Sequence, residues 1–412
     1  MSRMLFTNAR VFTAVDETVL DDAGVLIDGD RIEWSGPMVM APSVKDAERV
    51  DVGGRFVMPG MTESHVHLSY SNAHPSQLDR QPVPIAMLDA VDNARTLLRF
   101  GFTSAISFGS AQGIDVHLRN AINAGRVLGP RLLASERDVG STGSNADAKE
   151  PGSEGRKRIA DGPWAVRSAV REVAKAGADV VKIFLDGEEL SAHARPGVLS
   201  YTDDEVAAAC DEAHLRNLRV ACHARSAAAV KQAIRHGVDF IGHANFLDDE
   251  AVEMLAGARD RLFVGPGIAW EIQLLERGHE IGLSRAMMEA RGYQRELDET
   301  ISAVKRLREV GVRLLIGGDY GLSITPHGTN AKDLEYFVDL FGMSPAEALL
   351  CATRDGGLAM DPTGMLGTLE SGTMADLVIV DGDPTRDITM LQHEERIVGV
   401  MKGGCLVTDL LR

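Results

Sequence analysis

His65 and His67, in Glu63-Ser64-His65-Val66-His67, are separated by a single residue. On an extended strand both imidazoles then face the same side, where two neutral rings offer nitrogen ligands to one divalent cation. A lone His-x-His is commonplace, so its meaning depends on where the chain sets its other reactive groups. Lys182 lies in Asp179-Val180-Val181-Lys182-Ile183-Phe184-Leu185, with apolar neighbours on both sides. A buried, unpaired ammonium is costly. The lysine must snorkel, pair with an acid such as Asp186, or give up its charge. Burial favours the free amine, which can take up carbon dioxide as a carbamate and so become a carboxylate-like ligand. His223 closes Arg219-Val220-Ala221-Cys222-His223, His243 closes Phe240-Ile241-Gly242-His243, and Asp319 closes Leu314-Leu315-Ile316-Gly317-Gly318-Asp319. Each of these residues ends a short apolar run.

Those runs alternate with helix-length amphipathic segments from about Val57 to Thr353, which is the pattern of parallel βα units. Eight strands are expected, beginning near Val57, Thr103, Arg131, Asp179, Arg219, Val238, Leu262 and Val312. Eight units predict an α/β fold of the (β/α)8 TIM-barrel type. Trp164–Ala176 illustrates the helices: Val166, Ala169, Val170, Val173 and Ala174 share one face, Arg167, Arg171 and Lys175 the other, and Gly177 ends it. A second helix is expected over Asp203–Asn217. Both chain ends read differently, as short strands punctuated by turns such as Asp28-Gly29-Asp30 and Asp381-Gly382. Neither end has enough strands to stand alone. They are expected to combine into one small β-sandwich domain from residues 1–56 and 360–412, with the metal-binding barrel, 57–359, inserted between them.

In a barrel, the carboxyl ends of the strands open onto one mouth. The arrangement therefore gathers His65, His67, Lys182, His223, His243 and Asp319 as metal ligands, with Asp319, Lys182 and His243 expected to carry the reaction. Arg225 follows His223 by two residues, so continued extension would aim its guanidinium at the mouth as a clamp for a substrate carboxylate. Tyr320 and His193 are further candidate substrate contacts, with Asn245 and His327 ranked below them. Trp270, Met287 and Met288 suit an aromatic or apolar substrate group, or ordinary packing. The stretches Glu136–Pro163 and Pro266–Glu296 are long for plain connections and are candidate lids or oligomer contacts.

Composition narrows the partners. The 412 residues include 44% hydrophobic and 25% charged side chains, an ordinary globular balance. With 60 acidic against 43 basic residues the net charge is −17, which disfavours nucleic acid and anionic lipid surfaces. No apolar stretch is long enough to span a bilayer and no cleavable leader is evident, so a cytoplasmic protein is expected. Its four cysteines form no CxxC pair and are expected to be reduced thiols.

Together these motifs resemble the amidohydrolase superfamily, in particular its imidazolonepropionase-like and Xaa-Pro dipeptidase (prolidase)-like branch. The likeness runs through Val57-Met58-Pro59-Gly60-Met61, the HxH, Ala176–Ile183, Ile316–Asp319 and Gly367–Val378. It implies two divalent metal ions, zinc first among those suited, with manganese, cobalt and iron also compatible. His65 and His67 would hold the more buried ion and His223 and His243 the more exposed one. Lys182, N-carboxylated by CO2, would bridge them, and Asp319 would bind and serve as base. The implied reaction is hydrolysis of an amide C–N bond by metal-bound hydroxide, in an N-acyl amino acid, dipeptide or aryl amide. Alternatives are a cyclic amide or imide, a carbamate, a lactone, or deamination, and a non-catalytic scaffold comes last. The resemblance also implies a homo-oligomer. Two departures stand out. Arg225 occupies a position where relatives carry a Tyr or His, and Ser144 or Asn145 stands where many carry a histidine, a role His193 is placed to supply.

Overall fold

The structure is a computed structural model and describes residues 3–74, 81–147, 158–191 and 193–407. It is an α/β fold. Five strands open the chain: β1 (Met4–Phe12), β2 (Val19–Asp28), β3 (Arg31–Pro37), β4 (Glu48–Asp51) and β5 (Phe56–Pro59). β1, β2 and β3 form an antiparallel meander, with Gly29 supplying the positive φ that the tight β2–β3 turn needs. β4 and β5 both lie parallel to β1. Three strands from the other end, β15 (Leu377–Val380), β16 (Ile397–Lys402) and β17 (Cys405–Leu406), complete the same sheet. β15 pairs antiparallel with β5, Leu377 opposite Pro59 and Val380 opposite Phe56. Phe6, Val11, Val25, Leu377, Ile379 and Met401 form its apolar core. The two ends of the chain thus meet in one connected sheet of eight strands.

This corrects the position of the first parallel strand. Val57 belongs to β5, whose partners are β1 and β15. The strands of the βα units begin at Met61, after the chain crosses from one sheet to the other at Gly60. A Cβ at Gly60 would run into the buried Thr103 side chain. Because Thr103 is β-branched and enclosed it cannot yield, so Gly60→Ala is expected to cost about 1–3 kcal/mol of stability. Chemical denaturation of the variant measures this, and an unchanged midpoint would show that the crossing has slack.

β6 (Met61–Val66), β7 (Phe102–Ser107) and β8 (Arg131–Leu133) make a three-stranded parallel sheet. β9 (Val139–Gly140), β10 (Arg158–Ile159), β11 (Val180–Phe184), β12 (Arg219–Ser226), β13 (Phe240–Phe246) and β14 (Phe263–Gly265) make a six-stranded one. Single links join them: Asp179 and Val180 N–H groups donate to Ala134 O at 2.7 and 3.1 Å. The expected eighth strand from Val312 is not a regular strand. It makes isolated parallel bridges, Leu314 to Val264 and Tyr320 to Val66. Its extended run breaks where Asp319 adopts φ 62°, and Gly317 N donates to the Asp333 carboxylate at 2.8 Å instead of to a neighbouring strand.

Helices separate the strands. Pro163–Ala176 buries Val166, Ala169, Val170 and Val173 and ends at Gly177 with φ 92°, while Ala174 stays only partly covered. Asp203–His214 starts from a Thr202/Glu205 capping box. The stretch 266–296 is helical rather than loop: Ile268–Arg277 and Arg285–Arg291 occupy most of it, and Tyr293–Glu309 begins within it. Of the other candidate lid, residues 148–157 lie outside the described residues. Among the described residues, no helix is long and apolar enough to cross a membrane.

Candidate metal centre

Each sequence-predicted ligand reaches one cavity of about 410 Å³, lined by His65, His67, Lys182, His223, His243 and Asp319. His65 and His67 come from β6 and the residue after it, Lys182 from β11, His223 from β12 and His243 from β13. Ring centroids lie 5.4 Å apart for His65 and His67, 5.3 Å for His65 and His243, and 4.8 Å for His223 and His243. Asp319 Oδ1 stands 2.9 Å from His67 Nε2 and 3.6 Å from His65 Nε2. Lys182, 2% exposed, holds its Nζ 4.6 Å from the Phe108 ring centroid and 5.2 Å from that of Phe184.

The rings are held from behind. His65 stacks on Phe108 with centroids 4.1 Å apart, and His67 on Tyr70 at 4.3 Å. Three imidazoles meet backbone carbonyls: His67 Nδ1 at Gly109 O (2.9 Å), His223 Nε2 at Gly187 O (3.2 Å) and His243 Nδ1 at Pro266 O (3.3 Å). An N–H donated to a carbonyl fixes the tautomer and leaves the other nitrogen's lone pair for a ligand. The contact at His243 depends on Gly267, because a Cβ there would press into the imidazole.

Electrostatics keep these groups in ligand form. Burial pushes the imidazoles of His65, His223 and His243 well below the ordinary histidine range. Burial opposes ionisation of Asp319 too, but the adjacent His65 and His67 outweigh it and hold the carboxyl well below its usual range. At pH 5.5 an ordinary histidine, with a pKa near 6.5, is about 90% protonated. A lowered pKa reverses that population, so His65, His223 and His243 of the metal-free chain are expected to remain neutral at pH 5.5. Imidazole nitrogen shifts from NMR report this directly, and cationic shifts at these three positions would contradict it.

Two buried carboxylates outside the predicted ligand set, Glu63 and Asp333, brace the centre. Glu63 accepts from His65 N (3.1 Å) and Asn330 Nδ2 (2.9 Å), and burial raises its carboxyl to about 8. Asp333, raised by burial to about 7, accepts from Gly317 N and, at 3.1 Å, from the Tyr320 hydroxyl. Between them they anchor β6 and the irregular segment that carries Asp319. Glu63 was visible beside the HxH, whereas nothing in the spacing marks Asp333.

The expected substrate contacts are placed otherwise. Arg225 is 1% exposed and does not line the cavity. It is ion-paired to Glu296, with Glu271 at 3.6 Å and Glu188 at 3.7 Å. Its carboxylate clamp is therefore corrected to an internal ion network. Asn245 joins that network, donating to Glu271 and, at 2.7 Å, to Thr300 Oγ1. The Tyr320 side chain turns away from the histidines to Asp333 and lines a different cavity. His193 is exposed and not among the groups brought to the centre. His327 is buried behind His67, its Nε2 3.2 Å from His67 O. Trp270 and Asn145 do line the cavity, whereas Met288 is core, Met287 is exposed, and Ser144 Oγ donates to Ser141 O.

The donor set fits a divalent ion. His65 Nδ1 and His243 Nε2 are buried without a hydrogen-bond partner among the described residues, an expensive state unless another species completes it. Ligand atoms of His65, His243 and Asp319 all lie within 4.8 Å of one another. The amidohydrolase family model matches residues 56–407. The chain belongs to the amidohydrolase family. It is 27% identical to an ochratoxinase of Aspergillus niger over 420 aligned positions, covering 95% of this chain and 84% of that protein. It is 22% identical to an imidazolonepropionase of Rhizobium rhizogenes, covering 91% and 90%. The crystal structure of a Xaa-Pro dipeptidase with methionine bound in its active site superposes with a TM-score of 0.87 at 27% identity, over 99% of this chain and all of the other. Family membership supports an enzyme that hydrolyses amide bonds, from a family that usually uses divalent metals.

Proposed function

We propose that this amidohydrolase is a binuclear, metal-dependent hydrolase of an amide C–N bond. In this reading residues 61–359 act as a (β/α)8 barrel, and the two chain ends form the appended β domain. The observation that carries it is the meeting of four imidazoles, one lysine and one carboxylate, drawn from four strands and the irregular segment that ends at Asp319, on a single cavity wall. His65 and His67 would hold one ion and His223 and His243 a second. Lys182, carboxylated on Nζ, would serve both, and zinc is the ion this ligand set suits best. Bound divalent ions would lower the pKa of water and polarise a carbonyl.

The chain's own groups supply the remainder. Asp319, kept ionised beside His65 and His67, accepts a proton from the attacking water and returns it to the leaving nitrogen, so that an amine departs instead of an amide anion. Phe108, Phe184 and Trp270 line the cavity and keep bulk water from the reacting carbonyl. Their apolar surface suits an aryl or apolar acyl group. Elemental analysis of protein prepared with zinc, combined with product analysis on N-acyl amino acids, dipeptides and aryl amides, tests the reading. Two equivalents of metal with release of a free amine are expected. Failure to bind metal, or cleavage of esters alone, would overturn it.

A further inference from the structure

We propose that Glu188 makes this cavity select amides that carry a protonated amine and disfavour those that carry a carboxylate. The inference rests on the amide-hydrolase reading above and names its substrate class. It starts from the charge balance around Arg225. Three carboxylates surround that one guanidinium: Glu296 in contact, Glu271 at 3.6 Å and Glu188 at 3.7 Å. If one of the enclosed pair Glu271 and Glu296 keeps a proton, two negative charges still face one positive. Arg225 therefore has no charge left over for a ligand.

Glu188 is the member of this group that reaches the cavity. Its side chain is 21% exposed and lines the wall, whereas those of Glu271 and Glu296 are fully enclosed. Its 3.7 Å separation from Arg225 is too long for a hydrogen bond, so its oxygens retain acceptor capacity toward a ligand. Around it the wall is aromatic and apolar, with Phe184, Trp270, Leu190 and Leu283 among the lining residues. A carboxylate among aromatic faces is the chemistry that recognises an alkylammonium. Among the described residues, the one lysine or arginine on the cavity wall is Lys182, at the end that carries the histidines. A substrate carboxylate near Glu188 would meet a like charge, and the described cation beside it, Arg225 at 3.7 Å, is enclosed and already surrounded by carboxylates.

The test uses the full chain supplied with zinc and two short series of phenyl-bearing amides. In one the acyl side, and in the other the amine side, carries an ammonium, a methyl or a carboxylate on the carbon next to the scissile group. In at least one series kcat/KM is expected to fall from ammonium to methyl to carboxylate, with about tenfold or more between the extremes. In Glu188→Gln the spread should shrink to within about threefold, with the thermal midpoint unchanged. Preference for the carboxylate in the wild type, or the wild-type order persisting in Glu188→Gln, would overturn the proposal. If none of the compounds is cleaved, the hydrolase reading fails by itself, and Kd values for the same compounds decide this one. The same order, lost in Glu188→Gln, would sustain it, and equal Kd values would end it.

Discussion

Lys182→Ala is expected to reduce amide turnover by about a thousandfold or more, the scale of losing activated water together with carbonyl polarisation. It is also expected to lower the bound metal below two equivalents. Lys182 sits in β11 between β9 and β12, is 2% exposed, and brings its Nζ to the wall that His65, His67, His223 and His243 share. A charged ammonium there would repel divalent ions, whereas a carbamate would attract and bridge them. The two states predict opposite responses to carbon dioxide. Metal-free protein reconstituted under bicarbonate-depleted conditions should recover little activity, and added bicarbonate should restore it in the wild type but not in Lys182→Ala. Short carboxylic acids that fit the vacated volume should rescue the variant in part. If Lys182 is instead only an internal ion-pair partner, the variant will melt earlier yet keep its metal and its turnover, and that result would remove the bridge.

The candidate ligands were legible in the sequence because each one interrupts a pattern. A histidine or aspartate at the end of an apolar run, or a lysine in the middle of one, cannot be explained by the run, and in parallel sheets the strand ends converge. The terminal hairpins were legible for a similar reason, since Asp-Gly turns between alternating apolar residues specify antiparallel pairing. Arg225 misled although β12 continues to Ser226, because sharing a strand with His223 does not by itself put a side chain on the cavity wall. Between Ala224 and Ser226 the register with β13 slips, two residues on β12 matching three on β13, and Ala244 takes φ 58°. The extra residue belongs to β13, so the slip leaves the alternation of β12 itself unbroken and changes what lies beside Arg225. Its true partners were hidden by helical periodicity. Glu271 and Glu296 belong to the helices Ile268–Arg277 and Tyr293–Glu309, where acidic residues normally mark the solvent face, and which face is covered depends on tertiary packing. The eighth strand misled differently. Val312–Ile316 reads as a strand, but the Gly317-Gly318-Asp319 turn that aims the carboxylate also prevents a regular ladder.

Arg225→Met is expected to destabilise the folded chain by about 3–5 kcal/mol at neutral pH, because removing one member of a buried ion network leaves the others uncompensated. The wild-type guanidinium is fully enclosed and holds Glu296 and Glu271 beside each other. Burial already pushes both carboxyls upward while Arg225 pulls them down. Without Arg225 the main downward pull is gone and only the hydrogen bonds from Thr300 and Asn245 to Glu271 still favour ionisation, so their folded-state pKa values rise further above the unfolded values. A folded state that binds more protons than the unfolded state gains stability as pH falls. The deficit of Arg225→Met relative to wild type should therefore shrink as the pH is lowered through the raised carboxyl range, and reach its full size above it. Urea denaturation of both proteins across pH 5 to 8 measures the difference, and taking it against wild type removes the contribution of every group they share. A role as a substrate clamp predicts the reverse pattern: unchanged stability at all pH values, with a KM increase confined to anionic substrates. Adding Glu296→Gln and Glu271→Gln to Arg225→Met separates the two further. Removing the stranded charges should return much of the lost stability if the network is structural, and should return nothing to a missing clamp.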